Sequence, residues 1–168
     1  MKKINSLLAY IIIGIAGTLF HFIYEWSGEN PIVGAIASVN ESVWEHLKLL
    51  FFPALFYFVI EYFLSKERYE NLIPADVIGI FMGMLTIIAF FYTYSGILGY
   101  NVAALDIFSY YLGLAVTLCV KTRILRKKSF SSKTAKYLSL ILTAFTAVLF
   151  IAWSFYPPQL GIFIPPAL

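Results

Sequence analysis

Five long apolar segments restrict this chain to helical membrane folds. A helix needs about 20 mostly apolar residues to cross a bilayer, where lipid offers the backbone no hydrogen-bond partners. Only 12% of the 168 residues are charged and 61% are hydrophobic, whereas soluble domains are about 25% charged. We therefore predict an all-α bundle with five transmembrane helices. The predicted spans are residues 4–26, 41–64, 75–95, 102–120 and 134–156.

The basic residues predict the orientation of this bundle. Cytoplasmic loops of membrane proteins are enriched in Lys and Arg, and of the 12 such residues only Lys48 falls on the side opposite the N-terminus. We therefore expect a cytoplasmic N-terminus and an external C-terminus. Trp26, Trp44 and Trp153 lie near the external ends, as residues of a membrane interface do. We expect the basic stretch 121–136 to contact anionic lipid headgroups, and nothing in the sequence indicates nucleic-acid binding.

Ionisable residues gather at the predicted external ends of the first, second and fourth spans. Such groups are costly inside a membrane and usually have a function there. His21 and Glu25 share one helix face because they are four residues apart. Glu41 and Asp106 enter their spans from the same side, and Asn40 is the predicted N-cap of span two. The residues that we expect to line a shared ligand-binding pocket are His21, Glu25, Asn40, Glu41, Trp44, Asp106 and Tyr110.

The residue types in this group suit two kinds of chemistry. Imidazoles and carboxylates together bind zinc, manganese or iron, so the pattern is compatible with a divalent metal cofactor held by His21, Glu25, Glu45 and His46. Alternatively, a carboxylate acts as a general base while a lysine stabilises developing negative charge. The predicted catalytic group is Glu45, His46 and Lys48. The spacing Glu-x-x-x-Glu-His of Glu41, Glu45 and His46 matches neither the zincin motif nor the di-iron motif, so the pattern names no particular metal enzyme.

Other interpretations of function stay open at this point. A transporter component needs a polar pathway, and the cytoplasmic halves of the spans offer chiefly Glu61 and Thr117. We interpret Glu61 as reaching the lipid headgroups and Asp76 as an anion in the first turn of span three. An accessory or structural subunit would act through helix–helix contacts. Gly79 and Gly83 form a small-xxx-small pair that favours close packing, either within the bundle or in a homo-oligomer.

Residues 157–168 form a proline-rich tail without charges. Four of the seven prolines lie here, together with five large apolar side chains. Proline excludes a regular helix and favours extended backbone. Because the apolar side chains would be unfavourable in water, we expect the tail to pack on the external face. It would act there as a lid over the pocket or as an anchor at the membrane surface.

Three segments of the chain resemble a family of small, uncharacterised integral membrane proteins, found chiefly in Firmicute-type bacteria. They are HFIYEW at residues 21–26, NPIVG at 30–34 and VNESVWEHLKLLFFP at 39–53, which contains an Asn-Glu-Ser-x-Trp-Glu-His signature. The resemblance covers most of the chain and includes a proline-rich tail, which is longer and more polar in the family. It implies a multi-pass protein of the bacterial cytoplasmic membrane, but it supplies no activity.

Overall fold

The computed structural model describes residues 6–64 and 69–166, where the regular elements are all helical. The elements are α1 (Ser6–Trp26), α2 (Pro31–Gly34), α3 (Val43–Leu64), α4 (Leu72–Leu98), α5 (Ala103–Lys127), α6 (Lys133–Phe155) and a 3₁₀ turn (Gly161–Phe163). All of the helices except the short α2 are long and apolar enough to cross a membrane. The prediction of an all-α fold with five such helices is confirmed.

The helices differ from the predicted spans in where they begin and end. α4 begins at Leu72 instead of residue 75, and α5 continues to Lys127 instead of ending at 120. The start of the first predicted span, residues 4–5, and the end of the tail, residues 167–168, lie outside the described residues. The sequence predicts a loop for the basic residues that follow position 120, whereas the structure includes Arg126 and Lys127 in the last turn of α5.

α3 begins at Val43, two residues after the predicted start, because its cap is a different residue. The Ser42 hydroxyl accepts a hydrogen bond from the Glu45 backbone N–H at 3.3 Å, which is the interaction that an N-cap side chain makes. Asn40, the predicted cap, instead accepts from the Ser42 N–H at 2.8 Å and closes the turn before the helix. The segment that precedes α3 is therefore held by side chains on both sides of Glu41.

α3 is the central helix and contacts α1, α4, α5 and α6. Its side chains supply six of the fourteen buried residues of one continuous apolar core, more than any other helix, and every other long helix contributes to this core. Core residues of α3 include Leu47, Leu50, Phe51, Ala54 and Phe58. Where such helices lie in lipid, which is as apolar as these side chains, the core joins them through van der Waals packing and not through exclusion of water. The core also separates the two ends of the bundle.

α4 and α5 pack most closely, along a face of small residues. Gly83 of α4 lies against Gly113 and Thr117 of α5, and Gly79 lies against the Thr117 carbonyl. A Cβ atom at Gly83 would be 2.0 Å from Thr117 Oγ1 and 2.6 Å from the Gly113 carbonyl oxygen. The close packing predicted for Gly79 and Gly83 thus occurs within the chain. A homo-oligomer through this face stays a prediction that would require α5 to move away.

We expect Gly83→Ala to lower the free energy of unfolding by about 1–3 kcal/mol, the usual cost of overpacking. Gly96→Ala is the matched control in the same helix, since nothing lies within 4 Å of a Cβ atom there. The control should stabilise by about 0.5–1 kcal/mol, because alanine loses less backbone freedom than glycine in a helix. Reversible denaturation in detergent measures both. Equal effects of the two substitutions would contradict the packing described.

A buried ionic cluster lies at the end of the bundle where α3 and α5 terminate and α4 begins. Lys121 Nζ lies 2.8 Å from Asp76 Oδ1, forms an ion pair with Glu61 and sits 3.7 Å from the centroid of the Phe58 ring. Lys121 is only 1% exposed, so it does not belong to the surface-exposed part of the basic stretch 121–136. Glu61 was predicted to reach the headgroups and Asp76 to lie in a first helical turn. The prediction for Asp76 is wrong, because α4 begins at Leu72 and Asp76 follows the first turn. Glu61 pairs with Lys121, and its contact with headgroups stays a prediction.

Candidate functional site

Three potential metal ligands meet at the opposite end of the bundle. His21 comes from the last turns of α1, Glu41 from the segment before α3, and His46 from the first turn of α3. One ligand atom from each lies within 4.8 Å of the others. The Glu41 carboxylate is 3.7 Å from His21 Nε2 and 3.5 Å from His46 Nε2. The two imidazole rings are 5.4 Å apart between centroids.

The spacing of these groups is compatible with a divalent metal. Tetrahedral ligands at about 2.0–2.2 Å from zinc are about 3.3–3.6 Å from one another, and the two histidines lie 3.7 and 3.5 Å from the two different oxygens of Glu41. His46 Nδ1 lies 2.9 Å from the Ser42 carbonyl oxygen. Because a carbonyl only accepts, Nδ1 donates this hydrogen bond, and Nε2 is the ring nitrogen that faces Glu41. His21 Nδ1 is buried without a hydrogen-bond partner in the described structure.

A cavity of about 260 Å³ adjoins this group, between α3, α4, α5 and the tail. Its polar wall includes Glu41, His46 and Asp106, and its apolar wall includes Ile87, Phe91 and Pro166. The cavity is thus polar where the potential metal ligands lie and apolar on the side of α4. His21, Glu41 and His46 of the first and second predicted spans thus meet beside a cavity that Asp106 of the fourth also lines. Ligand binding by this group stays a prediction.

Asp106 is oriented toward the cavity by two neighbours on the α4–α5 connection and the end of α4. The Tyr94 hydroxyl donates to its carboxylate, and Asn101 Nδ2 donates to its second oxygen at 3.4 Å. The Tyr94 hydroxyl in turn accepts from the Val102 N–H at 3.3 Å. Neither Tyr94 nor Asn101 was among the predicted site residues, and no spacing in the sequence pairs either of them with Asp106.

Tyr110 lines the cavity, but its hydroxyl is used to hold α5 against α1. It donates to the Ile13 carbonyl at 2.9 Å. A Cβ atom at Gly17 would be 2.0 Å from the Tyr110 hydroxyl oxygen, so only glycine leaves room for this contact. Tyr110 was predicted to bind ligand, which stays a prediction. Its side chain lines the cavity, whereas its hydroxyl joins α5 to α1.

Glu45 and Lys48 form a separate, fully buried ion pair. Lys48 Nζ lies 2.7 Å from Glu45 Oε2 and donates to the Gly34 carbonyl at 2.8 Å and to Ser154 Oγ at 2.7 Å. Glu45 also accepts from the Val39 N–H at 3.0 Å and from Ser154 Oγ at 2.7 Å. The pair therefore ties α3 to α6 and to the preceding segment. Its geometry gives no support to the catalytic or metal-binding roles predicted for Glu45 and Lys48.

Glu25 and Trp44 also lie outside the group of potential ligands. Glu25 is exposed on the last turn of α1 and is not among the clustered ligands within the described residues. Trp44 packs on Phe150 and Phe163, with ring centroids at 4.6 and 4.9 Å, and on Trp153 at 5.1 Å. Trp26 is 68% exposed, whereas Trp44 and Trp153 are partly buried in this aromatic cluster. The location of the three tryptophans at a membrane interface stays a prediction.

Comparison with known proteins identifies the family of the chain. A family model described as a family of unknown function (DUF6512) matches residues 2–166. The chain belongs to this family. No curated protein and no solved structure matches it. Membership of DUF6512 confirms the resemblance to an uncharacterised family over nearly the whole chain. The family assigns no activity to this DUF6512 member.

The tail of this DUF6512 member folds back on the site. Phe163 is 8% exposed and covers the Trp44 and Trp153 rings, and Pro165 and Pro166 line the cavity. The 3₁₀ turn Gly161–Phe163 contacts α3. The tail thus contributes part of the cavity wall, which is the position that a lid would occupy. The sequence indicated packing on this face but not which side chain would anchor it.

Removal of residues 157–168 should open the cavity while leaving the helices in place. The measurement is the rate at which a water-soluble maleimide labels Ser109→Cys in a Cys119→Ser chain. Ser109 is buried and lines the cavity, whereas Cys119 is exposed and has to be removed. We expect the rate to rise severalfold after truncation. An unchanged rate would favour the membrane-anchor interpretation of the tail.

Proposed function

We propose that this chain is a multi-pass protein of the bacterial cytoplasmic membrane that binds a divalent transition metal at its external face. The ligands are His21, Glu41 and His46, and the observation that carries the proposal is the approach of their ligand atoms to within 4.8 Å. This set replaces Glu25 and Glu45 of the sequence-based prediction with Glu41. Two imidazoles and one carboxylate suit zinc and leave a coordination position open toward the cavity.

The outward faces of the long helices support location in a membrane. Leu7 of α1 and Ile141 and Val148 of α6 are 68%, 65% and 61% exposed, which is unfavourable in water and favourable in lipid. The 21 residues of α1 measure about 31 Å at about 1.5 Å per residue, and the hydrocarbon core of a bilayer is about 30 Å thick. The surface and the helix length therefore both match a bilayer.

The charge distribution supports an external metal site. At the end that carries His21 and His46, the one basic side chain among the described Lys and Arg residues is Lys48, which is buried in its ion pair. Arg123, Arg126 and other exposed basic residues lie at the opposite end, where cytoplasmic headgroups would meet them. The proposed orientation follows from this contrast.

A metal at this site would allow acid–base chemistry in the adjoining cavity. A zinc ion bound by three protein ligands acidifies a water molecule in its open position. Asp106, held by Tyr94 and Asn101, offers a proton acceptor on the same cavity wall. We propose acid–base chemistry on a ligand in the cavity, with Asp106 instead of Glu45 as the carboxylate base.

Zinc titration of the purified, chelator-treated protein tests the proposal. Isothermal calorimetry in detergent should show one zinc ion bound per chain. Glu41→Gln should weaken the binding strongly, while Glu25→Gln, which changes another exposed glutamate at the same end of the bundle, should leave it unchanged. Absence of saturable binding for zinc, manganese and ferrous iron would refute the metal site.

A transport role is a weaker proposal for this chain. Its two polar ends are separated by the buried apolar core that includes Leu50, Phe51, Ala54 and Leu114. This core offers no continuous polar pathway within the described part of the bundle. An accessory role through helix–helix contacts stays an alternative, and copurification of a stoichiometric partner would support it.

A further inference from the structure

We infer that the ligand of this site is a membrane lipid whose oxygen-bearing headgroup enters laterally between α1 and α5. The inference rests on the proposed metal function and adds the class of ligand. It begins from a second cavity of about 230 Å³, which shares His46, Asp106 and Tyr110 with the first. The two cavities therefore reach the same polar groups from different sides of the bundle.

The second cavity opens on a surface that faces lipid in the proposed orientation. Its rim includes Thr18 and Phe22 of α1 and Ile107 of α5, all of which are exposed. At about 1.5 Å per residue, Thr18 lies about 12 Å from the Trp26 end of α1, and Ile107 lies about 6 Å from the start of α5. The opening thus extends below the headgroup level, where an entering molecule comes from the bilayer and not from water.

The chemistry of the cavity changes from its mouth to its inner end. Phe22 and Ile107 are exposed and apolar, and the rim hydroxyl of Thr18 is already paired with Tyr111 at 3.1 Å, whereas the ionisable lining residues are His21, His46 and Asp106. An amphiphile enters such a cavity with its polar group first and its apolar chains still in lipid. Its headgroup oxygen would then lie beside His21 and His46, which with Glu41 would hold the metal.

The size of the cavity agrees with partial entry. Sites that enclose a whole small molecule have volumes of about 300–1,000 Å³, and this cavity is smaller, at about 230 Å³. A lipid can place its headgroup there without burying its chains. A water-soluble ligand of the same headgroup chemistry would instead approach through the first cavity, which Pro165 and Pro166 of the tail border, so the route of entry distinguishes the two kinds of ligand.

Photo-crosslinking in vesicles tests the inference with a defined probe. The full chain is reconstituted in phosphatidylcholine vesicles with a minor fraction of phosphatidylglycerol that carries a photoactivatable group near its headgroup. Crosslinked residues are mapped by mass spectrometry with zinc and after chelation. We expect zinc-dependent crosslinks to the α1–α5 mouth, and we expect Ile107→Trp to reduce them about tenfold, which corresponds to about 1.4 kcal/mol.

Phe108→Trp is the matched control, because Phe108 is the next residue, is 52% exposed and contacts Phe90 at 5.4 Å between ring centroids instead of lining the second cavity. A second pair, Thr18→Trp with Ile15→Trp as control, repeats the test from α1. Each variant is first titrated with zinc. Failure of the wild-type chain to bind zinc refutes the proposed function and this inference together.

Two outcomes refute the lipid inference alone. In the first, zinc binds but the crosslinks are spread over the helices and respond neither to zinc nor to the mouth substitutions. In the second, aqueous glycerol phosphate binds the zinc-loaded protein and Ile107→Trp leaves that binding intact. Either result would leave the metal site standing with a soluble ligand.

Discussion

Replacing Lys48 with methionine should lower the free energy of unfolding by about 3–5 kcal/mol, the usual cost of removing one partner of a buried ion pair. Lys48 is 0% and Glu45 1% exposed, so the substitution leaves a buried carboxylate without its countercharge. It also removes donors to the Gly34 carbonyl and to Ser154. The segment before α3 and the contact with α6 should loosen together.

The measurement is reversible unfolding in mixed micelles, followed by tryptophan fluorescence. The double variant Glu45→Gln/Lys48→Met should recover a large part of the loss, because no uncompensated charge stays buried. Lys133→Met is the matched control for lysine replacement, since Lys133 is exposed. Wild-type stability of the Lys48→Met variant would show that the pair is not the structural tie that we describe.

His46→Ala should weaken zinc binding by at least about 100-fold. Loss of a hydrogen-bonded partner of a metal ligand alone costs about 10–100-fold, and this substitution removes a ligand itself. His21→Ala should have a comparable effect. Because the His46 side chain is 29% exposed and the His21 side chain 28%, we expect both variants to fold, which circular dichroism can confirm before the titration.

The control for ligand identity is Glu45→Gln, which changes the residue next to His46. It should retain zinc affinity in the folded protein even though it removes the ion pair with Lys48 and lowers stability. Loss of zinc binding by a folded Glu45→Gln variant would contradict the ligand set His21, Glu41 and His46 and would restore Glu45 to it.

Composition and spacing predicted the long helices and the end of the bundle at which the polar residues lie. Apolar segments of sufficient length determine the five long helices, and connection of consecutive helices places His21, His46 and Asp106 at one end. These features follow from hydropathy and alternation of direction. They do not require knowledge of how the helices pack.

The partners of individual polar residues depend on helix rotation, which hydropathy does not reveal. Glu45 and His46 differ by about 100° around α3, so only one of them can face α1. The sequence does not say which helix lies on either side, and the structure turns Glu45 toward Ser154 and His46 toward His21. Glu25 shares a helix face with His21, but it lies on the last turn of α1 and outside the cluster of His21, Glu41 and His46.

Long-range pairing also explains why Lys121 was misassigned. Read alone, it begins a basic stretch that suits a surface. In the fold, Lys121 of α5 forms ion pairs with Asp76 of α4 and Glu61 of α3, two carboxylates that are distant in the sequence. Burial of a charge depends on such compensation, and compensation between separate helices is not visible in local composition.

The claim that His21, Glu41 and His46 form one metal site is tested most directly by X-ray absorption at the zinc edge of the loaded protein. We predict two imidazole nitrogens at about 2.0–2.1 Å, with oxygen completing the shell, and the signal of only one imidazole in the His46→Ala variant at saturating zinc. A first shell that contains sulfur, or one without imidazole, would contradict the site.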